Sequence, residues 1–303
     1  MILDTLSSVA RNRISLSSDR YQRIQRLWYR FSSNQLSVIG AIMILIVIGI
    51  AVFAPYIAPF PKEGAGGAVN IQNAYASPSA ENLMGTDSTG RDIFSRVMFG
   101  ARISLQMAAI VLTLSVTVGV IMGLTAGYLG GKINTVIMRI ADTFMSIRAL
   151  LLAMVVAAIL GPSIYNAALA ISAYWWTEYA RITEGQVKRI KQEEFVESHR
   201  ALGANWWRTA SREVLPNITS PILVKSTLDA GYIILVSASL GFVGLGTQPP
   251  NPDWGVMVAL GRQSIGQAWW ISTMPGFAIA FTVLGFNLLG DGLRDVFDVE
   301  EEI

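Results

Sequence analysis

The sequence ESHRALGANWWRTASREVLPN, residues 197–217, differs in character from the rest of this 303-residue chain. It is charged, and its pattern predicts two short helices separated by Gly203. Apolar runs long enough to cross a bilayer lie on both sides of it. The whole chain is 52% hydrophobic and 15% charged, whereas about a quarter of the residues of a soluble domain are charged. The sequence therefore predicts a membrane protein with a compact, basic helical element between two of its spans.

Six apolar segments have the length of a transmembrane helix, which needs roughly 20 residues. They are residues 36–57, 103–128, 136–160, 165–182, 221–245 and 271–289. The fourth is the most polar of the six. The predicted fold is an all-α membrane protein with six transmembrane helices.

Basic residues set the predicted orientation. Six arginines precede the first span: Arg11, Arg13, Arg20, Arg23, Arg26 and Arg30. Six basic residues separate the fourth and fifth spans: Lys188, Arg189, Lys191, Arg200, Arg208 and Arg212. Because basic loops face the cytoplasm, both segments and both termini are predicted to be cytoplasmic. Arg91, Arg96 and Arg102 then fall on the outer side, where Asp87 and Asp92 partly offset their charge.

Residues 193–217 are predicted to form a helix, a glycine turn and a second helix. Residues 193–202 form the first predicted helix, with Gly203 as its left-handed cap. Asn205 caps the second, which Pro216 ends because proline disfavours helix at the residue before it. Ser220 then predicts the cap of the fifth span. The residues predicted to share a face are Phe195, His199 and Leu202 in the first helix, and Trp207, Ala210 and Val214 in the second. Two interpretations stand at this level: a loop lying on lipid headgroups, or a knob that inserts into a groove of a cytoplasmic partner.

This element resembles the EAA motif of ABC-importer permeases, which runs Glu-Ala-Ala, then glycine, then Leu-Pro. Glu197, Gly203, Leu215 and Pro216 fit it, and Ser198-His199 stands where the family has two alanines. Three further segments are similar to the dipeptide/oligopeptide/nickel permease family, and in particular to the C-type member of its paired permeases. They are GTDSTGRDIFSRVMFGARISL (85–105), LGFVGLGTQPPNPDWG (240–255) and FNLLGDGLRDVFD (286–298). Arg148 and Val299 depart from it, since the family commonly has proline at both places.

The resemblance implies a permease core whose coupling helix docks into an ATPase subunit. The implied docking residues are Glu197, Ser198, His199, Arg200, Ala201, Leu202, Gly203, Leu215 and Pro216. The implied partners are a second homologous permease subunit, two ABC ATPase subunits that bind ATP and Mg, an extracytoplasmic solute-binding protein and a peptide substrate. This chain itself is expected to bind no cofactor or metal.

The predicted organisation follows from the spans and the resemblance. It comprises a cytoplasmic basic arm (1–35), a first transmembrane helix (36–58), an external loop with its lead-in (59–100), a five-helix core (101–295) containing the coupling element (190–217), and a cytoplasmic tail (296–303). The expected location is the inner membrane, as a multi-pass protein. A net charge of +2 without a long basic run argues against a nucleic-acid partner.

Catalytic signatures are weak in this sequence, and no catalytic residue is predicted. The nearest approach to a P-loop, AGYLGGKI at residues 126–133, lacks the first glycine and the hydroxyl residue after its lysine. Gly119, Gly123 and Gly127 repeat at four-residue spacing, which predicts close helix packing within the bundle or against the partner permease.

Charged residues within the predicted spans are unfavourable in lipid and are usually functional or paired. Spacing predicts pairs between Glu178 and Arg181 and between Lys225 and Asp229. Asp142 and Arg148 lie in the third span. Arg148 lies near its middle without a partner one turn away, so we expect it to line the translocation path or to pair with another span.

Alternatives to a peptide importer remain at this level. The same machinery could import oligosaccharides, glutathione or nickel chelates. A secondary transporter without ATPases is a second class, although no inverted repeat is visible in the sequence. A membrane-bound enzyme is a third class and would need a catalytic constellation that the sequence does not show.

Overall fold

A computed structural model describes residues 31–201, 203 and 205–298, together with Gln25 and Tyr29. The arginines predicted to orient the N-terminal arm and the end of the C-terminal tail lie outside these residues. Apart from an isolated bridge between Thr86 and Asp92, the regular structure in the described residues is helical.

Twelve α-helices are found in the described part of the chain. They are α1 (Gln35–Ile57), α2 (Pro61–Gly64), α3 (Ile93–Leu129), α4 (Gly131–Met145), α5 (Ala149–Leu160), α6 (Ile164–Ile190), α7 (Glu194–Ala201), α8 (Trp206–Thr209), α9 (Leu215–Asn217), α10 (Thr219–Val243), α11 (Trp254–Arg262) and α12 (Trp270–Asp298). A 3₁₀ turn covers Ile71–Asn73, and a π-helical turn covers Ala210–Val214.

Four of these helices, α1, α3, α10 and α12, are long and apolar enough to cross a membrane. The helices α4 and α5 meet the same test as a pair, which makes up to five spans. The predicted number of six is therefore not confirmed. Helix α6, which contains the predicted fourth span, does not reach the required apolarity because its second half is charged; its charged residues are Glu178, Arg181, Glu184, Lys188 and Arg189.

The predicted third span, 136–160, is wrong as a continuous helix. The chain bends by 89° between α4 and α5, and Arg148 adopts an extended backbone there. The hydroxyl of Thr143 donates to the Arg139 carbonyl at 2.9 Å, and that of Ser146 donates to the Thr143 carbonyl at 2.7 Å. These bonds lie in the last turn of α4, just before the bend, and a hydropathy average over 25 residues does not detect where a helix ends.

Helix α3 begins ten residues before the predicted second span, at Ile93 instead of residue 103. Asp92 caps it, because its carboxylate accepts a 2.7 Å hydrogen bond from the Ser95 amide. Residues 93–100, which were predicted to belong to the external loop with its lead-in, are therefore helical.

Three glycines bring α3 and α6 into backbone contact. A Cβ atom added at Gly123 would lie 2.5 Å from the Ala180 carbonyl oxygen, and one at Gly127 would lie 2.8 Å from the Val187 Cβ. Gly119 faces Tyr179 in the same way. Residue numbers rise together along both helices, so α3 and α6 run parallel. The intervening α4 and α5 must therefore carry the chain back along the bundle.

The loop between α1 and α3, residues 60–92, is ordered around buried charges and is called the long loop below. The Asp87 carboxylate accepts from the Arg91 Nε at 3.1 Å and lies 3.6 Å from the Arg96 Nε. Arg96 also donates to the Pro250 carbonyl at 3.3 Å. The predicted compensation of these arginines by Asp87 is confirmed, whereas Asp92 serves as the cap of α3.

Two buried tryptophans attach this end of the bundle to α11 and α12. The Trp254 indole donates to the Val97 carbonyl at 2.9 Å, and the Trp270 indole donates to the Thr86 carbonyl at 3.1 Å. Asp253 caps α11 and accepts from the Thr247 hydroxyl at 2.5 Å. Burial raises the pKa of the Asp253 carboxyl, against the opposing effect of these hydrogen bonds.

Candidate functional site

Residues 194–217, which include the charged sequence 197–217, form a bent helical element that we call the elbow. Helix α7 supplies its first arm, and Gly203 follows with a φ of +77°. Residues with a side chain rarely adopt that conformation, so the predicted left-handed role of Gly203 is confirmed. Asn205 caps the second arm as predicted, because its side chain accepts a 3.3 Å hydrogen bond from the Trp207 amide.

The predicted end of the second arm is wrong. Leu215 is helical despite the following proline, with φ −57° and ψ −44°. Its amide bonds to the Ala210 carbonyl, five residues back, and this widened π turn makes room for the ring of Pro216. Helix α10 then begins at Thr219, so Ser220 does not cap it.

The inner face of the elbow is packed against the bundle. Its buried residues are Val196, Thr209, Ala210 and Val214. Ala210 and Val214 share a face as predicted, but Trp207 is 48% exposed. Phe195, predicted to share the apolar face of the first arm, is exposed as well, and Val196 replaces it in the interior.

The outer face contains most of the predicted docking residues that can be placed. Glu197, Ser198, Gly203 and Pro216 are exposed, while His199 and Leu215 are partly buried. The side chains of Arg200, Ala201 and Leu202 lie outside the described part of the structure. His199 joins the two arms, since its Nε2 lies 3.4 Å from the Glu213 Oε1.

Two aromatic residues and a lysine attach the elbow to the end of α3. Lys191 donates a 2.6 Å hydrogen bond to the Tyr128 carbonyl and lies 5.4 Å from the centre of its ring. The Tyr128 and Trp206 rings are 6.2 Å apart. These contacts fix the elbow to α3, which packs along α6 through Gly119, Gly123 and Gly127. The elbow is therefore an exposed helical element attached to two closely packed helices.

Arg148 is exposed and precedes α5 at the bend. It therefore lies at a break between two helices, not in mid-helix as predicted. It makes no ion pair with any residue that the structure describes.

The remaining charges in the helices form pairs that differ in part from the prediction. Arg181 pairs with Asp142 of α4, so the predicted pair with Glu178 is wrong. Glu178 instead contacts the Lys225 Nζ at 2.6 Å, and the same atom contacts Asp229 at 2.7 Å. The predicted Lys225–Asp229 pair is confirmed. Spacing along one helix detected that pair but not the contacts between helices.

Residues 115–299 match the family described as the inner membrane component of binding-protein-dependent transport systems. Residues 22–78 match the N-terminal transmembrane domain of oligopeptide transport permease C. The first match covers the helices from the middle of α3 to α12, including the elbow. The expected resemblance to ABC-importer permeases is thereby confirmed.

Curated relatives match the chain over nearly its full length. The dipeptide transport system permease protein DppC of Escherichia coli K12 is 41% identical over 97% of this chain and 98% of its own length. The probable D,D-dipeptide transport system permease protein DdpC of the same strain is 38% identical over 90% of each chain. The glutathione transport system permease protein GsiD of Pectobacterium atrosepticum is also 38% identical over 90% of each.

These relatives are membrane components of transporters, not enzymes, and members of the family work with ATPase and binding-protein partners in general. Several apolar helices and an exposed elbow accord with a multi-pass protein of the inner membrane. On the match over residues 115–299 and the similarity to full-length permeases, the chain belongs to the family of inner membrane components of binding-protein-dependent transport systems.

Proposed function

We propose that this chain is one of two transmembrane permease subunits of an ATP-driven importer of di- or oligopeptides. The observation that carries the proposal is the exposed helix–glycine–helix elbow, which is held against α3 and α6. The substrate class is supported by relatives named for dipeptide transport at 41% identity. Glutathione, which is a thiol-containing peptide, is the second candidate substrate, because one relative is named for glutathione transport.

The proposed topology has six crossings with both termini in the cytoplasm. Helix α6 supplies the sixth crossing, because it runs parallel to α3 along the glycine contacts. The basic residues around the elbow support a cytoplasmic position for it, and the long loop then faces outward. In this topology residues 1–35 and 296–303 are cytoplasmic, and the core covers residues 101–295.

The proposed partners are a second homologous permease, two ABC ATPases and an extracytoplasmic solute-binding protein. ATP and Mg are bound by the ATPases, and this chain binds neither. Closure of the ATPase pair displaces the elbow, and the contacts of Tyr128 with Lys191 and Trp206 pass that displacement to α3 and α6. Alternating access of the path follows from the movement of these helices.

Arg148 is proposed to line the translocation path at the bend between α4 and α5. A charged side chain exposed to lipid is strongly unfavourable, and Arg148 is exposed in this chain. A water-filled path supplies the solvation that its guanidinium needs. There it attracts the carboxylate of the substrate.

The test is ATP hydrolysis and uptake by the complete complex, reconstituted with wild-type chain, Gly203→Pro or Glu197→Lys. We expect both variants to release the ATPases or to separate hydrolysis from uptake, because they alter the backbone and the charge of the outer face. Lys62→Glu, a charge reversal at an exposed position of the long loop, is the control and should retain coupling. Normal assembly and uptake in both elbow variants would contradict the docking role.

A further inference from the structure

The network around Lys225 joins the middle of α6 to the second turn of α10. The Lys225 Nζ lies 2.6 Å from the Glu178 Oε2 and 2.7 Å from the Asp229 Oδ1. Glu178 lies twelve residues before the end of α6, which corresponds to about 18 Å along the helix. Lys225 lies six residues after the start of α10, which corresponds to about 9 Å, so the network lies inside the bundle, nearer to the end that carries the elbow.

The network is open on one side. About a quarter of the Lys225 and Glu178 side chains is exposed, at 26% and 25%. The neighbouring Arg181–Asp142 pair is about half exposed. Charged atoms in contact with hydrocarbon are strongly unfavourable, so this opening faces water or a polar partner. Tyr174 and Tyr232 flank it; Tyr174 lies within reach of Glu178, and Tyr232 packs on Trp175 at 5.6 Å.

The network has one more negative charge than positive. Two carboxylates share one ammonium group. The Asp229 side chain is only 8% exposed, and its Oδ2 atom is buried without a hydrogen-bond partner in the described residues. The Tyr179 hydroxyl lies nearby without reaching hydrogen-bonding geometry. An unpaired buried acceptor of this kind is rare. The Tyr179 hydroxyl is likewise buried without a hydrogen-bond partner among the described residues and interacts with Asp229, whereas Glu178 is the partly exposed carboxylate of the network.

We propose that Glu178, Lys225 and Asp229 form an ammonium-binding site on the translocation path. The site takes the primary ammonium groups of transported peptides, at the N-terminus and on lysine side chains. In the empty path the Lys225 ammonium occupies it. An arriving ammonium group donates to the same two carboxylates while Lys225 shifts towards the opening. This proposal rests on the proposed importer function.

A bracing role is the competing explanation, in which Lys225 only ties α6 to α10. The two carboxylates distinguish these roles. Glu178 forms the contact between helices, whereas Asp229 and Lys225 belong to the same helix. If Lys225 only braces the helices, loss of Glu178 should lower uptake more than loss of Asp229 does. Uptake of every substrate should then fall equally. Ammonium binding predicts that both losses shift selectivity in the same direction.

The experiment measures maximal uptake by the complete transporter in liposomes, with saturating binding protein and peptide. Alanyl-lysine, dialanine and alanyl-glutamate are compared for wild type, Glu178→Gln and Asp229→Asn. We expect each substitution to lower the rate for alanyl-lysine relative to alanyl-glutamate about fivefold, or about 1 kcal/mol at 1.4 kcal/mol per factor of ten. Glu184→Gln is the matched control, since this carboxylate of α6 also pairs with a lysine, Lys188. Its selectivity should equal that of wild type.

Two results overturn the inference and leave the importer function intact. One is wild-type uptake with an unchanged alanyl-lysine to alanyl-glutamate ratio in both variants. The other is an equal loss for all three peptides with Glu178→Gln alone, which is the result of bracing. If the transporter does not assemble with Glu178→Gln, the peptide selectivity of Asp229→Asn distinguishes the two roles, because this variant keeps the Glu178–Lys225 contact. Absence of ATP-dependent uptake of any peptide by wild type would instead overturn the proposed function itself.

Discussion

The long loop and the elbow lie at opposite ends of α3 and are built in opposite ways. The long loop is mostly irregular, yet Asp87, Arg91 and Asp92 are buried in it and paired or hydrogen-bonded. The elbow is almost entirely helical and its inner face is buried, yet its outer face is exposed and carries charged side chains. Regular secondary structure is therefore no guide to where this molecule buries and pairs its polar groups. We expect the stability of a segment to depend on how many of its buried polar groups are hydrogen-bonded or paired.

The strongest test of this contrast is Asp87→Asn in the long loop. It leaves Arg91 and Arg96 buried without their counter-charge, and breaking a buried ion pair typically costs about 3–5 kcal/mol. We expect a large fall in the thermal unfolding temperature of the purified chain. Glu194→Gln on the exposed face of the elbow is the control, and its free energy of unfolding should change by less than about 0.5 kcal/mol. Equal shifts in the two variants would remove the contrast.

The second test uses two adjacent tryptophans. Trp270→Phe removes the indole donor from the buried Thr86 carbonyl, and an unsatisfied buried acceptor costs about 1–3 kcal/mol. Trp269 is 48% exposed, so Trp269→Phe should have little effect. Thermal unfolding in detergent compares the two, and equal losses would mean that the hydrogen bond to the long loop contributes nothing.

The third test concerns the elbow, where we expect the smallest effect on unfolding. Gly203→Ala forces a side chain into a left-handed conformation, at a cost of about 1–2 kcal/mol. Because Val196 is the one buried residue among the described side chains of α7, this strain should appear as faster amide hydrogen exchange in residues 194–201 with little change in global unfolding. The control is Gly185→Ala in α6, where an added Cβ meets nothing within 4 Å; it should leave exchange in the elbow unchanged. Slower exchange in the Gly203 variant would show that the left-handed turn is not required.

Sequence reasoning succeeded in this protein where the cause is local. Gly203, Asn205 and the Lys225–Asp229 pair depend on residues within one or two turns, and the structure agrees with each. It failed for features that depend on residues far apart in the sequence, and for a local break that the average hydropathy of a segment conceals. The bend before Arg148 is hidden by the apolar residues around it, and the Arg181–Asp142 pair joins two helices. Helix α11 was not predicted, because its nine residues are too few to be detected as a transmembrane segment.

The docking role of Glu197 and its neighbours stays a prediction, since it concerns a surface that meets another protein. The same holds for Arg148 as a residue of the path. The sequence suggested Arg148 as a partnerless charge, and the structure adds that it is exposed at a bend. The docking motif was recognisable from its residues, but its attachment to Tyr128 of α3 required the tertiary structure.

The length of α3 has a consequence for how distant events are connected. Its 37 residues span about 55 Å, from the long loop to the elbow, with α6 packed along its second half. A stiff rod of this length is a lever arm. A rotation of about 10° about one end moves the other by about 10 Å for a helix that rises about 1.5 Å per residue. If the elbow is displaced as proposed, we expect small tilts of α3 at that end to become large displacements at the end next to the long loop.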